Sequence, residues 1–244
     1  MNYRLVIFSQ EEHNLTLPII QSIINNNRNF DSYLVFLVND RFSFSRLLKN
    51  LIFFGPFHFI KIIYANLIKK NKLGNKKCEI YRMNAAEFRS NQWVKYLRGN
   101  EFGLSINFPL KISKKIIDQF SGNILNIHNS QLPKYGGLMP ILRQINNSDF
   151  CFASTIHLIN ENLDEGRILY QYCLTKEKII SPYKIWQKAN NINRNLLIEL
   201  SPFDYCNLSP MNMSLKSYYS IPTWRNVFYF FYKINKKNFL SLFS

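Results

Sequence analysis

Two short runs rich in Val, Ile, Leu and Phe, Tyr3–Phe8 and Ser32–Val38, flank a stretch, Leu15–Ile24, whose apolar residues recur at helical spacing. That is a β-α-β opening, and parallel strands need a crossover of this kind because a tight turn cannot join them. Further strands are expected at Glu79–Arg82, Leu104–Asn107 and Ile124–His128, with a helix over Ser113–Phe120 that Ser113 caps. Strands that alternate with helices point to an α/β fold built on a mostly parallel sheet. Beyond it, Phe152–Ile159 and Arg167–Leu174 read as a hairpin-type addition, and Ser181-Pro182 opens a helix to about Leu200. At Ser201 the texture changes to Pro, Ser, Asn and Met. A main domain over 1–200 and a small C-terminal appendage over 201–244 are therefore expected, with Thr223 capping a last helix over Trp224–Lys233.

Composition excludes several classes of protein. Apolar residues are 47% of the 244 and charged ones 19%, which is too much buriable surface for a disordered chain. Cys78, Cys151, Cys173 and Cys206 lie far apart with no C-x-x-C pair, so neither a disulfide framework nor a structural metal is expected. The first residues run straight into a strand without a basic leader or cleavage site, which points to a cytoplasmic protein. The most apolar stretch, Leu51–Ile68, is broken by Gly55, Pro56, His58 and Lys61 and is followed by Lys69, Lys70, Lys72, Lys76 and Lys77. It reads as a buried helix rather than a membrane span, and membrane contact is not favoured. The net charge of +16 fits either an anionic partner or a general drift toward Lys and Asn.

Chemistry concentrates in one window. Four of the eight glycines fall between Gly122 and Gly166, together with Asn126, His128, His157 and Asp164. Asn126 and His128 are two apart on an expected strand, so both side chains point to one face near its C-terminal end, where open α/β sheets bind ligands. An amide beside an imidazole suits acyl transfer to an amine: the amide donates to an oxyanion while the imidazole takes a proton. Asp164, in a loop between two strands, supplies a carboxylate to fix the imidazole. The competing reading of N-x-H is a satisfied structural pair.

The runs Asn123–Pro140 (N-I-L-N-I-H-N-S-Q-L-P-K-Y-G-G-L-M-P) and Ala153–Leu169 (A-S-T-I-H-L-I-N-E-N-L-D-E-G-R-I-L) carry the pattern N-x-H-x-S-x-L-P-x-Y-x-G followed by D-x-G. In this the chain resembles the folate-dependent formyltransferases. The resemblance implies a Rossmann-like formyltransferase core, with Asn126, His128 and Asp164 as a catalytic triad and 10-formyl-tetrahydrofolate as formyl donor without a metal. It also implies that Phe108, Pro109, Leu110, Lys111 and Ile112 bind the pterin ring, with the loop from Ile159 to Asp164 closing over it. His157 is similar to a histidine that supports the strand. The turn Leu132–Gly137 shapes the acceptor side, and many members carry Arg where this chain has Gly136.

Within that family the acceptor has to be chosen. The position of a glycine-rich phosphate loop reads Ser9-Gln10-Glu11-Glu12-His13-Asn14, which disfavours purine synthesis. The 44 residues after about Ser201 are short for a tRNA-binding barrel, so a methionyl-tRNA formyltransferase is the alternative and stable nucleic-acid binding is not expected. Length and the segment Ser217–Thr223 (S-Y-Y-S-I-P-T) resemble sugar N-formyltransferases, which act on an amino sugar carried by a nucleotide. The expected acceptor is then a dTDP-4-amino-4,6-dideoxyhexose for surface polysaccharide (lipopolysaccharide O-antigen), bound through Lys134, Tyr135, Arg82, Tyr218, Tyr219 and Trp224. The resemblance also implies a homodimer, with the appendage over 201–244 serving dimerisation or acceptor binding. A non-catalytic binding module on the same fold is the remaining reading, and the intact triad speaks against it.

Overall fold

A computed structural model describes residues 2–11, 16–39, 51, 60, 77–99, 101–175 and 181–240. Apart from Leu51, Ile60 and Lys77, the apolar stretch Leu51–Ile68 and its basic continuation lie outside the described residues, as do Glu12, His13 and Asn14 of the loop after the first strand. In chain order the elements are β1 (Arg4–Gln10), α1 (Leu17–Asn26), β2 (Ser32–Asn39), β3 (Cys78–Asn84), α2 (Ala85–Arg89), β4 (Phe102–Ile106), α3 (Lys114–Gln119), β5 (Ile124–His128), β6 (Gly136–Gly137), α4 (Pro140–Asn146), β7 (Phe152–Leu158), β8 (Ile168–Thr175), α5 (Pro182–Glu199), β9 (Tyr218–Tyr219) and α6 (Trp224–Leu240).

Seven strands form one sheet in the order β3-β2-β1-β4-β5-β7-β8. The first five run parallel. β7 joins β5 antiparallel and β8 continues the hairpin, as the sequence indicated. Chain order reverses between β1 and β4, which opens a crevice at the C-terminal strand ends. β1 and β2 are buried along almost their whole length because helices cover both faces, which is why they read as unbroken apolar runs.

On one face Leu5, Ile7, Val35, Leu37, Leu104 and Leu125 pack under α1 and α5. On the other, Val6, Phe8, Leu34 and Phe36 pack against Phe88, Trp93, Ile116 and Phe120. Phe8 sits at the centre of that second layer, 5.6 Å from Phe36 and 5.4 Å from Trp93 between ring centroids. A third cluster joins α4, α5 and α6 to the hairpin through Ile141, Leu142, Phe152, Leu174, Ala189, Val227 and Phe230.

Several local expectations change. Ser113 and Ser181 do stand at helix N-caps, but neither side chain makes a capping hydrogen bond. Thr223 does, accepting from Asn226 N at 3.4 Å, and its helix runs on to Leu240 instead of ending at Lys233. The helices α2 and α4 escape the periodicity reading because they are five and seven residues long. Leu200, Tyr205 and Leu208 share the main buried cluster, so the change of texture at Ser201 does not mark the end of the core. The scattered cysteines are not all apart in space: Cys151 Sγ and Cys173 Sγ lie 3.6 Å from each other.

One buried side chain fastens two helix ends. Asn27 donates from Nδ2 to Leu197 O at 3.0 Å and Leu200 O at 2.8 Å, while its Oδ1 accepts from Asn29 N at 2.9 Å. It is 6% exposed, so its removal takes the donor from Leu197 O and leaves Leu200 O with only Asn29 Nδ2 at 3.2 Å. We expect Asn27→Ala to cost about 2 kcal/mol in urea unfolding with an unchanged far-UV spectrum. A loss below about 0.5 kcal/mol would show that water takes over from Asn27.

Candidate active site

β5 has Ile124, Asn126 and His128 on one face, as two-residue periodicity demands. Further back along that face the aromatic layer covers the sheet. At β5 the apolar cover gives way to polar groups. Antiparallel pairing sets Asn126 opposite His157 of β7 and His128 opposite Thr155, so a second histidine arrives beside the first pair. His128 is 8% exposed and His157 2%.

Asp164 comes from the loop between β7 and β8. That loop is pinched at its base by Leu158 N donating to Arg167 O at 2.8 Å and Ile159 N donating to Ile124 O at 2.7 Å. The pinch explains the glycine of D-x-G, because a Cβ on Gly166 would sit 1.8 Å from Leu158 O. Asp164 itself has φ of 58°, a left-handed turn that sends its carboxylate back over the sheet. Oδ2 accepts from Gly137 N at 2.7 Å. Oδ1 stands 3.8 Å from His128 Nδ1 and 3.7 Å from His157 Nε2, within ion-pair reach but beyond hydrogen-bond length.

Partners fix both ring tautomers. His128 Nε2 is 2.8 Å from Tyr135 O, an atom that can only accept, so Nε2 carries the hydrogen and Nδ1 offers its lone pair toward Asp164. His157 Nδ1 is 2.8 Å from Leu158 O, so it is the protonated nitrogen there. The Nε2 of His157 is left to accept from Asn126 Nδ2 at 3.3 Å, which orients the carboxamide. Burial, reinforced by the neighbouring His128 and opposed by Asp164, pushes the His157 imidazole down to about 4.

The turn Leu132–Gly137 is organised by the C-terminal segment. Tyr218 and Tyr219 pair in parallel with Gly136 and Gly137, and Ser217 N donates to Pro133 O at 3.0 Å. Gly137 has φ of 93°, and a Cβ there would lie 2.1 Å from Tyr219 O. Gly136 is wedged 3.2 Å (from its notional Cβ) from Ser217 O, with Asp164 and Tyr218 next to it, so a long side chain such as Arg would have to displace this pairing.

The remaining expected residues divide. Tyr135 is buried at 2%, its hydroxyl is bonded to Asp149 at 3.0 Å, and its ring stacks on Tyr219 at 6.0 Å. Its side chain therefore presents no ligand surface, and its carbonyl is the group that reaches the site. Lys134 pairs with Asp149 at 2.6 Å. Arg82 pairs with Glu11 at 2.7 Å and stands on β3, four strand spacings or about 19 Å from β5, so the fold does not bring it to the triad. Trp224 opens α6, 37% exposed, with its ring 6.1 Å from Phe228. In the segment Phe108–Ile112, the Phe108 ring packs on Phe8 and Phe88, and Ile112 is 4% exposed within the aromatic core. Pro109 and Leu110 are partly buried and Lys111 is exposed, so these three are the residues of the segment open to a ligand. A cavity of about 350 Å³ opens between α3 and the Ile159 loop; its lining includes Lys114, Ile117, Ile159 and Glu161 but none of the triad. No group of three His, Cys, Asp or Glu among the described residues is placed to hold a metal ion.

The supporting part of His157 was only partly visible beforehand, and the parts of Gly137 N and Tyr135 O were invisible, because backbone groups leave no residue-type signal. Nitrogen-detected NMR should find the His157 ring neutral and protonated at Nδ1 down to about pH 4. Titration near its ordinary value of 6.5 would contradict the burial and bonding described.

The family described as "Formyl transferase" matches residues 61–199 of the 244. Phosphoribosylglycinamide formyltransferase of Haemophilus influenzae is 43% identical over 60 residues, 25% of this chain and 28% of that protein. A sugar N-formyltransferase from a Shewanella species superimposes with a TM-score of 0.57 at 15% identity, covering 95% of this chain and 87% of the other. The N-formyltransferase of Helicobacter canadensis, solved with folinic acid and dTDP-3-aminofucose, gives 0.54 at 14% identity, covering 96% and 80%. Matches to curated relatives, methionyl-tRNA formyltransferases among them, span well under half of those proteins' length. At such identities the solved structures speak for the fold alone. The match over residues 61–199 takes in more than half of the sequence, and by it the chain belongs to the formyl transferase family.

Proposed function

We propose that this protein is a cytoplasmic folate-dependent N-formyltransferase that acts on a nucleotide-linked amino sugar, with surface polysaccharide as the destination of the product. The observation that carries the reading is the convergence of Asn126, His128 and Asp164 on one face of β5, with each side chain already oriented by a partner. The reduced folate is proposed to lie against the backbone of Pro109–Lys111 and the Ile159 loop, and a cavity of about 350 Å³ lined by Leu158, Ile159, Asn160 and Glu161 supports the second of these. When bound, 10-formyl-tetrahydrofolate supplies an activated formyl carbon. Asn126 has a second amide N–H beyond the one held by His157, and that hydrogen can donate to the oxygen that becomes negative as the amine attacks. His128 Nδ1 takes the amine's proton, and Asp164 stabilises the imidazolium so formed. The same proton can then pass to the departing nitrogen of the folate.

For the acceptor, the supporting observation is the pairing of Tyr218–Tyr219 with Gly136–Gly137, which lays an aromatic segment beside Asp164. The structural likeness to sugar N-formyltransferases supports a nucleotide-linked amino sugar, and a dTDP-4-amino-4,6-dideoxyhexose is the form proposed. A homodimer is part of the proposal. Sequence matches to methionyl-tRNA formyltransferases and the net charge of +16 favour tRNA as the second reading.

His128→Asn and Asp164→Asn should fold normally and lose about two or more powers of ten in turnover. Asn126→Ala should lose about 3 kcal/mol of transition-state stabilisation, and an effect confined to KM would remove it from oxyanion binding. Transfer from 10-formyl-tetrahydrofolate to nucleotide-linked amino sugars, free amino sugars and charged initiator tRNA separates the acceptors. The nucleotide-linked form should have the highest kcat/KM and only a shallow salt dependence. Equal values for free and linked sugar would remove the nucleotide site, and faster formylation of tRNA would favour the second reading.

A further inference from the structure

One face of α6 is occupied within the protein and the other is turned to solvent. Val227 and Phe230, each 1% exposed, pack with Ile141, Leu142 and Ile145 of α4. On the opposite side Phe228 is 61% exposed, Tyr229 47%, Phe231 52% and Tyr232 57%. At 100° per residue, the positions from Phe231 round to Tyr229 cover an arc of about 160°, and Arg225 stands on the same arc. Large apolar rings gathered on one exposed face mark an interaction surface rather than ordinary scatter.

Charge indicates what covers it. Residues 205–244 contain no Asp or Glu; of their cations Lys216 pairs with Glu165 and Lys233 bonds Asn146 O and Ser148 Oγ, while Arg225 stands on the exposed arc and Lys236 and Lys237 follow in the sequence. A second copy of the helix laid against this one would bring cations to cations, with no carboxylate from the same segment to offset them. A bilayer surface rich in anionic headgroups offers the complementary charge and accepts phenyl and phenol rings at the boundary between headgroups and acyl chains. No helix among the described residues is long and apolar enough to cross a membrane, so contact of this kind lies along the surface.

We propose that α6 docks the protein onto an anionic membrane surface, with Phe228, Tyr229, Phe231 and Tyr232 seated among the headgroups and Arg225 paired with lipid phosphate. The proposal stands apart from the formyl-transfer reading and uses none of its site residues. Its consequence is that the protein works at the leaflet where anionic lipid is exposed. The buried face of the helix stays on α4, so docking needs no unfolding of the domain.

The test is cosedimentation of the full chain with vesicles of phosphatidylcholine alone and of phosphatidylcholine with phosphatidylglycerol in equal parts. Partition into the anionic vesicles should exceed that into neutral ones by about tenfold or more at low salt, and should fall as salt rises. The double variant Phe228→Ser/Phe231→Ser should lose about tenfold in partition, and Arg225→Gln about fivefold. Unfolding curves establish that each variant is folded, and if the double variant is not, Arg225→Gln and the salt series decide. Absence of any preference for anionic vesicles overturns the proposal. So does undiminished binding by a folded variant, or a face whose loss dissolves a dimer in solution while vesicle binding is nil.

Discussion

The Asp164 carboxylate is the point on which the site depends. A largely buried carboxylate must be compensated: one oxygen of this one accepts from the Gly137 N–H, and the other lies within ion-pair reach of His128 Nδ1, where a proton taken up by that ring would balance it. To bring those groups together, the β7–β8 loop has to fold back over the sheet. The turn after β5 has to present a backbone donor, and the C-terminal segment has to hold that turn through Tyr218 and Tyr219. Three pieces of chain meet at this carboxylate, and backbone pairing of their own holds them there.

The two histidines are not equivalent, although each lies near the same oxygen. His128 is bonded through Nε2 to a carbonyl and directs Nδ1 at the carboxylate, which makes it the group able to take and return a proton. His157 is bonded through Nδ1 and spends Nε2 on Asn126, with its basicity suppressed by burial, so it serves as a fixed neutral acceptor. One fold thus draws two opposite tautomers from one residue type through the carbonyl each ring meets. The proposed division between proton transfer and orientation rests on that difference.

The C-terminal residues have two faces of different use. Toward the core, Tyr205 bonds Gly103 O at 2.9 Å, and Tyr219 sits between Tyr135 and the Arg143 guanidinium, so this part of the chain helps hold the turn after β5. Away from the core, α6 displays rings in a stretch of sequence that carries no Asp or Glu. Its inward face is seated on α4 by Val227, Phe230 and Ile234 and by hydrogen bonds of Asn226 and Lys233 to Arg143 and Asn146.

How much of this was legible beforehand follows from how far each signal reaches along the chain. The apolar runs of β1 and β2, the helical spacing of α1 and the two-apart placement of Asn126 and His128 are local facts, and local periodicity determines them. The same holds for the motif residues themselves, whose identities carry the family resemblance. Placing Asn126 opposite His157 takes a strand register across 31 positions, and placing Tyr218 beside Gly136 takes a contact across 82. Such pairings are chosen by the packing of whole layers and leave no periodic trace. Arg82 shows the converse: a basic residue at a strand end looked available for a phosphate, but sheet order set it four strands from the triad beside Glu11. The sequence by itself determined the layered α/β fold and the chemical groups of the site, because those depend on residue type and short spacing. Tertiary structure alone decided which backbone groups, which tautomers and which distant side chains meet them, because each of those depends on where separate segments come to rest.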